Sequence, residues 1–107
     1  MKVIYQSREF SKRELYQMRK QGISLKSIDD GATFLLNDVC AYDGEDHNGN
    51  AIRLYAFFTD KGIIVTQSET AYKESIDIME DFGSGQEVRH VVGKSKAGRE
   101  YHTLQLV

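Results

Sequence analysis

The sequence has no proline and no tryptophan, and Cys40 is its one cysteine. Without proline there is no polyproline linker. A lone cysteine excludes an intrachain disulfide and a thiolate metal cage, and it fits a reducing, cytoplasmic setting. No stretch approaches the roughly 18 to 20 apolar residues of a membrane span. The first residues, MKVIYQSREF, lack the apolar core of a secretory signal. Large net charge is missing too: the total is −2, which argues against a general polyanion binder. With 107 residues the chain fits one domain. A domain of this size buries roughly two-thirds of its unfolded surface, enough for one modest core.

Charge is present but unevenly distributed. Residues 1–26 carry seven Lys or Arg against Glu9 and Glu14, a balance of +5. Residues 27–82 carry three bases against twelve acids, a balance of −9. Residues 83–107 return to +2 through Arg89, Lys94, Lys96 and Arg99. A chain with basic ends and an acidic middle can present a basic face despite its negative total.

The local patterns order the elements. Residues 2–6 form a short strand candidate. Ser11 stands three before Glu14, a capping box, and Phe10 and Leu15 have the spacing of a hydrophobic staple. A helix is expected from Lys12 to Gln21, ending at Gly22. Gly22 to Asp30 has room for another helical turn. Thr33 to Tyr42 reads as a long strand whose alternation breaks near Asn37 and Asp38, consistent with a bulge. Asn48-Gly49 marks a hairpin loop within 43–50. Strands follow over Ala51–Thr59 and Ile63–Gln67, then an amphipathic helix from Ser68 or Thr70 to Phe82. The chain closes with a strand over Glu87–Val92, a basic loop over Gly93–Arg99 and a strand over Glu100–Val107. Residues 1–31 thus read as an N-terminal extension. Residues 32–107 read as β-β-β-α-β-β, the order of an OB-fold, a mainly β, five-stranded Greek-key barrel.

Chemistry-bearing patterns are sparse. His47, His90 and His102 have no metal-ligand spacing, and the acidic loop 43–48 lacks the ordered oxygens of a calcium site. Gly93-Lys94-Ser95 lacks the upstream glycine of a phosphate loop, since residue 88 is Val. The reading is therefore not an enzyme, with no cofactor and no metal. The strand IRLYAFFT (Ile52–Thr59) is more informative. Alternation sets Ile52, Leu54, Ala56 and Phe58 on one side, expected to be core. Arg53, Tyr55, Phe57 and Thr59 fall on the other, and two aromatics beside a cation suit base stacking. Lys94, Lys96 and Arg99 in the last loop would neutralise phosphates. Tyr101 would extend that surface. The expected nucleic-acid site is Arg53, Tyr55, Phe57, Lys94, Lys96, Arg99 and Tyr101.

Three stretches carry a resemblance: FSKRELYQM (Phe10–Met18), TQSETAYKESIDIMEDF (Thr66–Phe82) and VVGKSKAGREYHTLQLV (Val91–Val107). They resemble single-stranded-DNA-binding proteins of phages of Gram-positive bacteria. The resemblance implies an OB-fold without catalysis that protects single strands during phage replication and recombination, in the cytoplasm of the infected host. Single-strand binders commonly link several short tracks by oligomerising, so a homodimer or larger is expected, with phage or host replication and recombination proteins as further partners. No membrane partner is expected. A rival reading is a small phage protein that binds and inhibits a host or defence protein through its acidic middle. A third, a helix-turn-helix over Ser11–Ile28, suffers from a second segment too short and poorly patterned for a recognition helix.

Overall fold

The longest strand, β3 (Thr33–Glu45), has different neighbours along its length. The computed structural model describes residues 1–107. On one edge, β3 pairs antiparallel with β4 (Ala51–Thr59). On the other, its first residues pair with β6 (Gln86–Lys94), and Cys40 to Asp43 pair with β1 (Lys2–Gln6). The register of β3 against β4 slips between Leu36 and Asp38. That leaves Asn37 as the extra residue of a bulge, which bends the strand between its two sets of partners. The bulge is tied down from outside. Gly85 donates its N–H to the Leu36 carbonyl at 2.8 Å, and the Ser84 hydroxyl donates to the Asn37 carbonyl at 2.6 Å.

The remaining strands build out from this centre. β5 (Gly62–Thr66) pairs with β4, and the two-residue β2 (Ile23–Ser24) adds to β5 in parallel. β7 (Glu100–Leu106) pairs with β6. The order is β2-β5-β4-β3-β6-β7, with β1 beside β3. This is one mainly β, seven-stranded sheet, curled into a half-barrel with β7 unpaired to β5. Five barrel strands and a short strand over residues 2–6 were expected, and these form; β2 is the addition. A 3₁₀ turn over Leu25–Ser27 occupies the segment read as a helical turn.

Two helices cover opposite faces. α2 (Glu69–Phe82) begins at Ser68, whose hydroxyl oxygen accepts the Ala71 N–H and whose proton goes to the His102 carbonyl. It ends at Gly83, whose φ of 83° suits a residue without a Cβ. Ala71 and Ile78 of α2 close an inner core with Leu25, Phe34, Leu36, Val39, Phe57, Ile64, Val88 and Leu104. α1 (Lys12–Gln21) covers the outer face, where Phe10 and Met18 pack on Cys40, Tyr42 and Ala56. Burial pushes the Cys40 thiol up to about 11, which makes it an inert core residue. Gly22 follows α1 where any Cβ would collide with Val65, so glycine lets the chain pass close over β5. Neither helix is long and apolar enough to cross a membrane.

The capping box of α1 is complete. Ser11 Oγ accepts the Glu14 N–H at 3.1 Å and the Glu14 carboxylate accepts the Ser11 N–H at 3.0 Å. Arg8 bonds both Glu14 and Asp38, fastening the helix start beside the β3 bulge. The Arg8 guanidinium, helped by the Ser11 N–H, holds the Glu14 carboxyl down at about 2, against an ordinary 4.5. A depressed folded-state value stabilises the fold above the unfolded value, and that contribution is lost as pH falls through the folded one. The melting temperature should therefore drop between about pH 4.5 and pH 2, and Glu14→Gln should flatten part of that drop. Identical pH profiles for parent and variant would contradict this assignment.

Candidate nucleic-acid interface

β4 runs through the middle of the helix–sheet–helix stack, so both of its sides are apolar near residues 55–58. Phe57 is fully buried in the inner core beneath α2. Tyr55 is 7% exposed, its ring stacked on Tyr72 of α2 at 4.3 Å and 13°. Tyr72 in turn meets Tyr5 edge-on at 6.3 Å. Burial raises the pKa of both Tyr55 and Tyr72. The side expected to be core does pack, but the side expected to be open is covered as well. The side of Arg53, Tyr55 and Phe57 turns inward to α2. The side of Leu54, Ala56 and Phe58 turns outward to α1, where Phe58 stacks on Phe10 at 4.5 Å. Phe57 and Tyr55 are packing residues, closed to a base. The physical reason is that alternation separates two sides but does not say whether the second is covered too.

Arg53 is exposed, but it is engaged by Asp43 directly across the β3–β4 ladder. That pairing lowers the Asp43 pKa and raises that of Arg53. Arg53 also lies far from the basic loop. It sits opposite Asp43, whereas Arg89 sits opposite Thr33, ten residues earlier on β3. At about 3.3 Å per residue the two positions are roughly 30 Å apart along the strand. The structure therefore splits the seven expected residues into an Arg53, Tyr55 and Phe57 group and a separate Lys94, Lys96, Arg99 and Tyr101 group.

The second group stands on open sheet. In the β6–β7 hairpin, Val88, His90, His102 and Leu104 point inward and are buried. Arg89, Val91 and Gly93 alternate outward on β6, and Tyr101, Thr103 and Gln105 outward on β7. This is the face that α1 covers farther along, but over the hairpin it is bare. Tyr101 pairs with Gly93, and a Cβ at Gly93 would collide with the Tyr101 ring. The missing side chain makes room for the Tyr101 ring over β6, where it is 44% exposed. Arg89 is exposed on the same side farther along β6, with Glu87 two residues before it; Lys94, opposite Glu100 on the other side of the ladder, and Lys96 and Arg99 of the turn are exposed too, and none of the four cations enters an ion pair. The loop itself is a short turn. Ser95 donates its N–H to the Arg99 carbonyl, and Gly98 donates to that of Ser95 with a φ of 81°. Because β6 runs to Lys94, the loop is shorter than the sequence suggested. Arg89 and Gly93 were missed from the sequence, although the alternation Arg89-Val91-Gly93 places them on one side.

The hairpin is braced from below. His90 and His102 lie in contact, Nε2 to Nδ1 at 2.9 Å, with parallel rings. His90 Nδ1 faces the Asp29 carbonyl at 3.2 Å, and His102 Nε2 faces Glu100 at 3.1 Å. The Asp30 carboxylate accepts the Val92 N–H at 3.0 Å. These bonds fix the hairpin to the segment entering β3. Compared with known proteins, the chain matches no family model, no curated protein and no solved structure.

The burial of Phe57 has a direct consequence. Phe57→Ala should cost about 3–5 kcal/mol of stability, the usual loss for a core aromatic. Chemical denaturation measures it. A folded variant of parental stability that has lost single-strand binding would restore Phe57 as a stacking residue.

Proposed function

We propose that this chain binds single-stranded DNA with low sequence preference across the outer face of the β6–β7 hairpin. The observation that carries the reading is the Tyr101 ring, packed over the side-chain-free Gly93 and 44% exposed, on a hairpin whose Arg89, Lys94, Lys96 and Arg99 enter no ion pair. An exposed ring offers any base a stacking surface, and nearby Lys and Arg release counterions from the phosphates. Arg89 and Tyr101 supply the platform; Lys94, Lys96 and Arg99 supply the rim. The strand order β5-β4-β3-β6-β7, the helix between β5 and β6 and the bulge in β3 support an OB-fold left open on one side. The resemblance to phage single-strand binders agrees with this reading, which includes a role in phage replication or recombination in the host cytoplasm. One hairpin is a short track, so the proposal extends to assembly of two or more copies.

A second reading rests on α2. Its exposed side carries Glu74, Asp77, Glu80 and Asp81, none of them ion-paired. That surface favours a basic protein partner.

Fluorescence anisotropy with oligo-dT separates the two. Tyr101→Ala should weaken binding by about 1–3 kcal/mol, the loss of one stacked base. Replacing Lys94 and Lys96 by Gln should flatten the salt dependence by roughly 0.7 in slope per lost contact. Parental affinity in both variants would move the site off this hairpin and favour the protein-binding reading.

A further inference from the structure

α1 lies on the same outer face as the hairpin, and its free side has a distinct composition. Lys12, Arg13, Tyr16, Arg19 and Lys20 recur at steps of three and four, opposite the buried Met18. Residues so spaced form one stripe along a helix. All five are exposed, and Tyr16 at 54% is among the most exposed aromatics of the chain. The Arg19 guanidinium lies 5.9 Å from the centre of the Tyr16 ring.

The cations of this stripe are unneutralised. Glu14, the one acid in α1, is held by Arg8 on the other side of the helix start. Lys12, Arg13, Arg19 and Lys20 enter no ion pair. At the helix end, Arg19 and Lys20 join Lys2 along an open groove of about 700 Å³ whose wall includes Tyr42. Of the two acids on that groove, Asp43 is engaged by Arg53, which leaves Glu45. On the opposite side of the sheet, α2 exposes Glu69, Glu74, Asp77, Glu80 and Asp81 against Lys73 alone. The molecule is therefore positive over its α1 face and negative over its α2 face. Such a separation orients a polyanion before contact.

A solvated helix needs no exposed tyrosine in the middle of four free cations. Such a combination is what a single strand requires, a ring for a base and charges for the flanking phosphates. We propose that α1 is a second nucleic-acid contact, with Tyr16 stacking a base and Arg13, Arg19 and Lys20 holding the phosphodiester backbone. A bound strand would run from the β6–β7 hairpin over the outer face onto α1. The inference rests on the single-strand reading and gives the N-terminal helix its role in it.

Oligonucleotide length tests it, because site sizes of single OB-folds span about 4–16 nucleotides. Affinities for oligo-dT of about 5 and about 15 nucleotides would be measured for the parent, for Arg13→Gln/Arg19→Gln/Lys20→Gln, and for Tyr16→Ala, with Tyr16→Leu as a bulk-preserving second variant. The parent should gain affinity with length. The triple variant should lose most of that gain, and its salt slope on the long oligonucleotide should fall by roughly 2, about 0.7 for each phosphate contact. Both Tyr16 variants should weaken the long complex about 5- to 100-fold. A parent that gains with length, beside variants that keep the gain, would overturn the α1 contact and leave the hairpin reading standing. A parent that binds neither oligonucleotide would overturn both.

Discussion

The bulge at Asn37 of β3 is the constraint on which the rest of the molecule depends. One strand serves β6 along its first residues and β1 along its last, and the slipped register between Leu36 and Asp38 bends it from one to the other. Two connections converge on that bend, α2–β6 and β1–α1. The α2–β6 connection bonds Leu36 and Asn37 through Gly85 and Ser84. Arg8 ties Asp38 to the start of α1. Ser7 bonds both Asp38 and the Val39 N–H. A strand that bends here can accept a helix on each face, and it leaves the β6–β7 outer face outside the reach of α1.

Covering both faces has a cost for function. The centre of β4 would be the natural platform of an open sheet, but here it is spent on packing, with Tyr55 and Phe57 under α2 and Phe58 under Phe10. Open sheet is left where neither helix reaches. The bare hairpin is held by the buried His90–His102 pair beneath it and by an exposed bond from the Val92 N–H to Asp30. Unpaired cations gather on the outer side and unpaired acids on the inner one. Packing thus fixes where a ligand can lie, and charge favours a polyanion on the outer face.

Local signals were legible in the sequence and non-local ones were not. The start of α1 was readable because a capping box is written within four residues, Ser11 to Glu14. The β3 bulge was readable because the apolar alternation fails at Asn37 and Asp38. β2 was not, since two residues paired in parallel with β5 leave no periodic trace. The sides of β4 were separated correctly and the core side was identified, but the second side is not open: Ala56 and Tyr55 are both buried, each under a different helix. The Lys94, Lys96, Arg99 and Tyr101 half of the expected site lies on one hairpin, with Lys94 and Tyr101 on opposite sides of it. The Arg53, Tyr55 and Phe57 half is separated from it by the length of β3, a distance that only the register reveals.

The central claim is that the outer face, and not the inner one, meets nucleic acid. Mapping backbone amide shifts while oligo-dT is titrated into isotope-labelled protein tests it most directly. The account predicts the largest changes at Arg89 to Lys94, at Tyr101 to Gln105 and along the exposed side of α1. Changes centred instead on Glu74, Asp77 and Asp81 of α2, or on the Tyr5, Tyr55 and Tyr72 cluster, would contradict it.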